Sequence, residues 1–134
     1  MLERNLIQST GFRNTGPVGA RDGFAVRLRM PNYHGTRLSL IDGVDVSVDG
    51  EFSSHEKNRL AIRNEIYTLD ELRQQTRARW DLFEWASVLV SKPGGLQPGI
   101  HRIQVVARVR YSYFPPQFHI YPVHAERLGT IVLP

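Results

Sequence analysis

The stretch KPGGLQPGIHRIQVVARVRYSY, Lys92 to Tyr113, decides the class of fold. Two turn clusters, Pro93-Gly94-Gly95 and Pro98-Gly99, lead into a long run of alternating character. Ile103, Val105, Ala107, Val109, Tyr111 and Tyr113 share one parity, whereas Arg102, Gln104, Arg108, Arg110 and Ser112 share the other. Side chains alternate across a strand, so the run predicts one apolar face and one Arg-lined face. Roughly 14 residues at ~3.4 Å each would span more than 40 Å, enough to cross a whole sandwich with a bend or a change of sheet on the way.

The rest of the chain repeats the pattern in shorter pieces. A first strand is predicted around Leu6 to Phe12, followed by a loop rich in Gly and Pro. From Gly23 to Met30, Phe24, Val26, Leu28 and Met30 point inward while Arg27 and Arg29 point outward. Thr36 to Ile41 reads as a strand with Leu38 and Leu40 on the core. Asp42-Gly43 reads as a turn, and Val44, Val46 and Val48 as the next strand before a turn at Asp49-Gly50. Leu60 to Ile66 and Trp80 to Val90 supply further strands. Phe118 to Tyr121 and Arg127 to Leu133 close the set. Thr68-Leu69-Asp70-Glu71 carries a capping box, which predicts a short helix over Leu69 to Gln75. The expectation is a single all-β domain over 1–134, an antiparallel β-sandwich or jelly roll with one short helix, with an edge-closed barrel as the alternative.

Composition narrows the chemistry. With 134 residues, 41% hydrophobic and 22% charged, the chain is long enough to bury a core without staples. It has no cysteine, so disulfides and thiolate sites are excluded. The opening MLERNLIQSTGF has an acid and Arg/Asn breaks where a signal peptide needs an apolar run, and no segment reaches the length of a membrane span. These features predict a cytoplasmic protein that does not engage a membrane. Within a net charge of +4, fifteen of the seventeen basic residues are Arg. Base composition of the genome is one explanation and an Arg-rich protein interface is another. Nucleic-acid binding is the weakest, because the Arg residues are scattered and no RNA-recognition motif accompanies them.

No self-sufficient active site emerges. His119 and His124 are five residues apart with Pro122 between them, and His34, His55 and His101 are isolated, so no metal set is predicted in this chain. Asp22, Asp42 and Asp49 each precede Gly and read as turn residues. Ser39, Ser53 and Ser54 lack a nucleophile elbow, and Gly94-Gly95 feeds a strand rather than a phosphate-binding helix. The candidate contact residues are Tyr33, His34, Gly35 and Arg37 at a strand junction, with Arg108, Arg110, Tyr111 and Tyr113 at the end of the long strand. Tyr and Arg are enriched at interfaces, and loops at one end of a sandwich are where contacts gather; packing of the same aromatics in core and rim is the plainer reading.

Four segments resemble the small β subunit of bacterial C-glycoside deglycosidases: LIQSTGFRN (Leu6 to Asn14), RMPNYHGTRLSLIDGVDVSVDGE (Arg29 to Glu51), WDLFEWASVLV (Trp80 to Val90) and GGLQPGIHRIQVVARVRYSYFP (Gly94 to Pro115). The most specific parts are Tyr33, Gly35, Leu38 and Ser39 in one block, and Gly94 to Leu96, Pro98, Gly99 and His101 in another. The resemblance implies a non-catalytic β-sandwich docked on a TIM-barrel α subunit that carries a divalent metal, manganese by expectation, and a catalytic His. It further implies cleavage of the sugar–aglycone carbon–carbon bond of a 3-oxo-C-glycoside, such as a flavonoid glucoside. A ketone at C3 acidifies the C2 proton, so a base can remove it and expel the aglycone from C1. The rival reading is a stand-alone carbohydrate-binding module with Trp80 and Trp85 as its platform. A regulatory or nucleic-acid role is third.

Overall fold

Strand β2, Gly23–Arg29, shows how the sequence makes the fold: Phe24, Val26 and Leu28 are buried, while Arg27 and Arg29 are only half covered. The same alternation recurs through a computed structural model that describes residues 2–31, 35–110 and 120–134. Every described ladder is antiparallel. Five strands form one sheet in the order β1-β2-β9-β6-β7, where β1 is Arg13–Thr15, β6 Arg59–Ile62, β7 Glu65–Tyr67 and β9 Trp85–Ser91. Four form a second sheet in the order β11-β10-β4-β5, where β4 is Ile41–Val48, β5 Glu51–Ser53, β10 Gly99–Arg110 and β11 Ile120–Ile131. A two-stranded ladder joins β3, Thr36–Arg37, to β8, Arg79–Trp80.

The inward faces of both sheets meet in one core. Val26, Leu28, Leu60 and Val88 from the first sheet belong to the same apolar cluster as Val46, Ile103, Val105 and Ile131 from the second. Trp80 is wholly buried in that cluster, and its indole N–H donates to the Glu84 carbonyl at 3.0 Å. The architecture is therefore an antiparallel sandwich. The barrel alternative fails, because in the described residues β11 and β5 each pair on one side only.

Several local expectations are corrected. The first strand lies at Arg13–Thr15 rather than Leu6 to Phe12, and Ile7 contributes only a single bridge to Leu28. Thr36 to Ile41 is not one strand: β3 stops at Arg37 and a 3-10 turn covers Leu38–Leu40. That turn buries Leu38 but leaves Leu40 half covered. Leu60 to Ile66 is a hairpin, β6–β7, turned at Arg63 and Asn64, both at positive φ. Arg127 to Leu133 does not stand apart, since β11 runs unbroken through Pro122 and pairs with β10 from Gly99↔Ile131 to Arg110↔Ile120. Phe118 lies outside the described residues. Helix α1, Leu69–Arg73, has the expected capping box between Thr68 and Glu71. Among the described residues no helix is long and apolar enough to cross a membrane.

Candidate functional site

A cluster of charged side chains lies where β4 begins. Val44 pairs with Ala107 and Ile41 with Val109, so Asp42 and Gly43 together oppose Arg108. This is a β-bulge, not the turn that the Asp-Gly pair suggests, and Gly43 takes φ +93° to make it. A bulge re-aims side chains. Asp42 is buried, with Arg108 Nε 3.7 Å from one carboxylate oxygen and Arg73 of α1 3.4 Å from the other. Arg110 donates to the Ser39 carbonyl at 2.8 Å. Nε of Arg108 and of Arg110 is buried without a hydrogen-bond partner, and Asp42 is shared between Arg108 and Arg73, the latter also reaching Asp70 at 3.6 Å. A buried acid held between guanidiniums does not fit a divalent cation, since their charges repel it. The cluster suits an anionic or electron-rich neighbour instead.

This end holds part of the candidate set. Arg108 and Arg110 lie on the β10 face opposite Val105, Ala107 and Val109, as the alternation predicts, and both are half covered. Gly35 and Arg37 flank Thr36 on β3, next to the 3-10 turn that Arg110 grips. A Cβ at Gly35 would stand 3.1 Å from the Trp80 carbonyl, so glycine permits the close approach of β3 to β8. Arg79 donates to the Gly35 carbonyl at 2.7 Å, and Arg37 is exposed. Tyr33, His34, Tyr111 and Tyr113 lie outside the described residues. The structure thus brings Arg108 and Arg110 to the segment that follows Gly35 and Arg37. Sequence reasoning missed Asp42 as the centre of this cluster, because an Asp-Gly pair has the same signature in a turn and in a bulge.

The opposite end of β10 is a latch. Asn14 of β1 is buried, and its side chain pairs with Leu96 as a strand would: Nδ2 donates to the Leu96 carbonyl at 2.9 Å and Oδ1 accepts from the Leu96 N–H at 2.8 Å. His101 lies between the Asp49 carboxylate, 2.6 Å from Nδ1, and the Gln97 carbonyl, 2.7 Å from Nε2. Both partners accept, so satisfying the two nitrogens requires the imidazolium. Burial pushes the His101 pKa down, but the Gln97 carbonyl and the Asp49 carboxylate outweigh it and leave the value raised. The Arg102 N–H, with the His101 ring, holds the Asp49 carboxyl below its ordinary range. The GGLQPGIH segment therefore ties the start of β10 to β1 and to the β4–β5 hairpin.

Several other carboxylates also tie elements together. Asp45 pairs with His55 at 2.8 Å, Glu126 with Arg102 at 2.7 Å, Glu51 with Lys92 at 2.8 Å and Glu3 with Arg127 at 3.1 Å. Glu84 is pushed up by burial, yet the Arg63 guanidinium and the Asp81 N–H hold its carboxyl below its ordinary value. Among the described residues no three His, Asp or Glu side chains gather as a metal set. Trp80 cannot serve as a sugar platform because it is core, and the Trp85 ring lies under the Arg27 guanidinium, 4.2 Å from its centroid.

Residues 2–113 match the family described as "C-glycoside deglycosidase beta subunit". This chain belongs to that family. It is 34% identical over 116 residues to the C-glycoside deglycosidase beta subunit of Eubacterium cellulosolvens, spanning 86% of this chain and 79% of the relative. It is 31% identical over 99 residues to the 3'-dehydrocarminate deglycosidase beta subunit of a Microbacterium species, spanning 73% of this chain and 74% of the relative. The family is one of beta subunits, so the chain's role is that of one subunit in a hetero-oligomer. The matched span takes in the Asp42 bulge, the Asn14–Leu96 latch and the Arg108–Arg110 end of β10.

Proposed function

We propose that this chain is the non-catalytic β subunit of a C-glycoside deglycosidase, docking on and stabilising a metal-dependent TIM-barrel α subunit. The substrate class is a 3-oxo-C-glycoside with an aromatic aglycone of the flavonoid kind, cleaved by elimination in a cytoplasmic setting. The observation that carries the reading is the match over residues 2–113 to a family of deglycosidase beta subunits. The disposition of charged groups supports it. Asp45, Glu51, Glu84 and Glu126 are held in pairs that tie separate segments, and the divalent metal has a better home in the partner than beside Asp42, where guanidiniums would repel it.

In this reading the end bearing Gly35, Arg37, Arg108 and Arg110 faces the mouth of the partner's active site, together with Tyr33, His34, Tyr111 and Tyr113. An elimination that builds negative charge on a 3-oxo sugar is favoured by a cationic rim, even one set back from the reacting atoms. The carbohydrate-module alternative would need a stacking platform, and the buried Trp80 does not offer one.

The test is co-purification with the α subunit encoded alongside, followed by assay on a 3-oxo-C-glycoside. The isolated chain is expected to be inactive, and the complex active and more heat-resistant than the α subunit alone. Turnover by the isolated chain, or a chain that stays monomeric beside its neighbour yet retains polysaccharide, would overturn the reading. Within the complex, His34→Ala should alter the apparent KM, and unchanged kinetics would remove that loop from the mouth.

A further inference from the structure

The outward face of the five-stranded sheet carries four arginines whose charge no acid answers among the described residues. Its cross-strand register places Arg13, Ala25, Leu89 and Arg59 in one row. The next row reads Arg27, Ser87, Ala61 and Ile66, and Arg29 opposite Trp85 begins a third. No Asp or Glu occupies an outward register position of this sheet. None of the four arginines makes an ion pair among the described residues. Arg27 donates to the Thr10 hydroxyl, and Arg29 donates to the carbonyls of Arg4 and Met30. These bonds hold the side chains in place but leave their charge unanswered.

On the outward side of the four-stranded sheet acids are interspersed, Glu126 matching Arg102 and Asp42 matching Arg108, although Arg110 has no ion pair there among the described residues. The five-stranded face also concentrates like charge. Burial, and behind it the nearby Arg13 charge, pull the Arg27 pKa below its ordinary value. Self-repulsion of this sort is a standing cost that an acidic neighbour would remove.

Shape adds a second line. Ala61 and Ser87 keep the floor low between Trp85 and Ile66, and an open hollow of about 530 Å³ lies there, with Glu65 at its rim. Trp85 is 41% exposed, Ile66 51% and Phe83, two residues before Trp85, 85%. From strand spacing and rise, the sheet face alone covers about 400 Å². A standard interface needs about 800 Å² per partner, so a docked protein would extend beyond the strands, over Phe83 and the loops around it. Arg and Trp around an apolar centre are the residue types that dominate binding energy at interfaces. A second copy of this chain is a poor occupant, because two arginine faces repel.

We propose that this face is the docking surface of the subunit and that its occupant is an acidic patch of the partner α subunit. Carboxylates of the partner meet Arg13 and Arg59, and an apolar side chain enters the hollow beside Trp85. The inference rests on the reading of the chain as a docking subunit and adds where and by what chemistry it docks. The Arg108–Arg110 end then faces the active-site mouth without being the main anchor.

The test measures affinity between the separately purified subunits. The double variant Arg13→Glu, Arg59→Glu is expected to weaken assembly about 100-fold, roughly tenfold per reversed charge. Wild-type affinity should fall as NaCl rises from about 0.1 M to 1 M, where the screening length drops from about 10 Å to 3 Å, and the variant should lose that dependence. Arg102→Glu, on the other sheet, is the control and should stay within about threefold of wild type. Both arginines are exposed, and the isolated double variant should melt with the wild type. If it does not, Arg59→Gln, with an expected tenfold loss, replaces it. Assembly of the variant at wild-type strength, an equal loss in Arg102→Glu, or displacement of the partner by a nucleic-acid duplex would overturn the inference while leaving the subunit reading intact. A wild-type chain that binds no α subunit at all would sink the subunit reading itself.

Discussion

Replacing Asn14 by alanine should loosen the whole start of the long strand. The Asn14 amide satisfies both backbone groups of Leu96, at 2.9 and 2.8 Å, and reaches the Leu133 carbonyl at 3.3 Å. Asn14 is 6% exposed and Leu96 8%, so the Leu96 N–H and carbonyl would be orphaned out of easy reach of water. Each unsatisfied buried group costs about 1–3 kcal/mol, which would give about 2–6 kcal/mol for the pair. The hollow lined by Phe12, Arg13 and Leu133 lets some water in and moves the expected loss toward about 3 kcal/mol. An unfolding entropy of about 2.1 cal/mol/K per residue converts this to a drop of about 10 °C in Tm for a chain of this length. The assay is thermal unfolding of the isolated chain followed by circular dichroism. Asn14→Asp sharpens the test: its carboxylate still accepts from the Leu96 N–H but repels the Leu96 and Leu133 carbonyls. Its stability should therefore recover in part as falling pH protonates the new acid. A loss below about 3 °C for Asn14→Ala, or an Asn14→Asp variant indifferent to pH, would refute the latch.

Three further outcomes follow from the same geometry. His101 has a raised pKa, so its contribution is complete below the ordinary histidine value of 6.5 and is lost as pH rises through its folded pKa. His101→Gln should therefore cost more Tm at pH 5.5 than at pH 8.5, and an equal cost at both would contradict an imidazolium; the depressed Asp49 carboxyl works the other way, its contribution being lost as pH falls through its folded pKa. Asp42→Asn removes the counter-charge of Arg108 and one of the two that face Arg73, which keeps Asp70; because both guanidiniums are partly solvated, a loss of about 1–2 kcal/mol in chemical unfolding is expected, and no loss would mean that the cluster is electrostatically idle. Trp80→Phe should cost about 2–3 kcal/mol through a cavity and the lost indole bond, and should remove the blue-shifted part of the tryptophan emission, leaving the half-exposed Trp85; a red-shifted loss would place Trp80 at the surface.

What the sequence disclosed about the fold was its periodicity. Gly23–Arg29 and Gly99–Arg110 alternate, and each landed with the expected residues on the core, whereas the strand expected over Trp80 to Val90 divides into β8 at Arg79–Trp80 and β9 at Trp85–Ser91. The capping box at Thr68 was equally legible because its signal is contained in four residues. Failures came where one local pattern serves two geometries. Asp42-Gly43 reads as a turn until the pairing of Val44 and Ile41 with β10 shows a bulge, and that pairing is a long-range fact. Leu38 and Leu40 alternate as a strand would, but backbone bonds from Leu38 to Ala78 and from Ser39 to Gln75 coil the segment into a 3-10 turn. The hairpin at Arg63-Asn64 was hidden because neither residue is Gly, although both sit at positive φ. Of the candidate site, the Arg108–Arg110 face could be read from parity. Its tie to Asp42 and Ser39 could not.

The twelve-residue strand β11 bears on how the subunit survives before it is assembled. Among the described residues β11 forms a ladder only with β10, so its far border is a sheet edge, of which the Glu126 carbonyl is already met by the Asn5 amide. Two of its residues spoil that template. Pro122 offers no N–H, and Arg127 on the inward parity reaches across to Glu3 and to the Ile7 carbonyl. Such features disfavour edge-to-edge pairing between copies of a newly made subunit before its companion arrives.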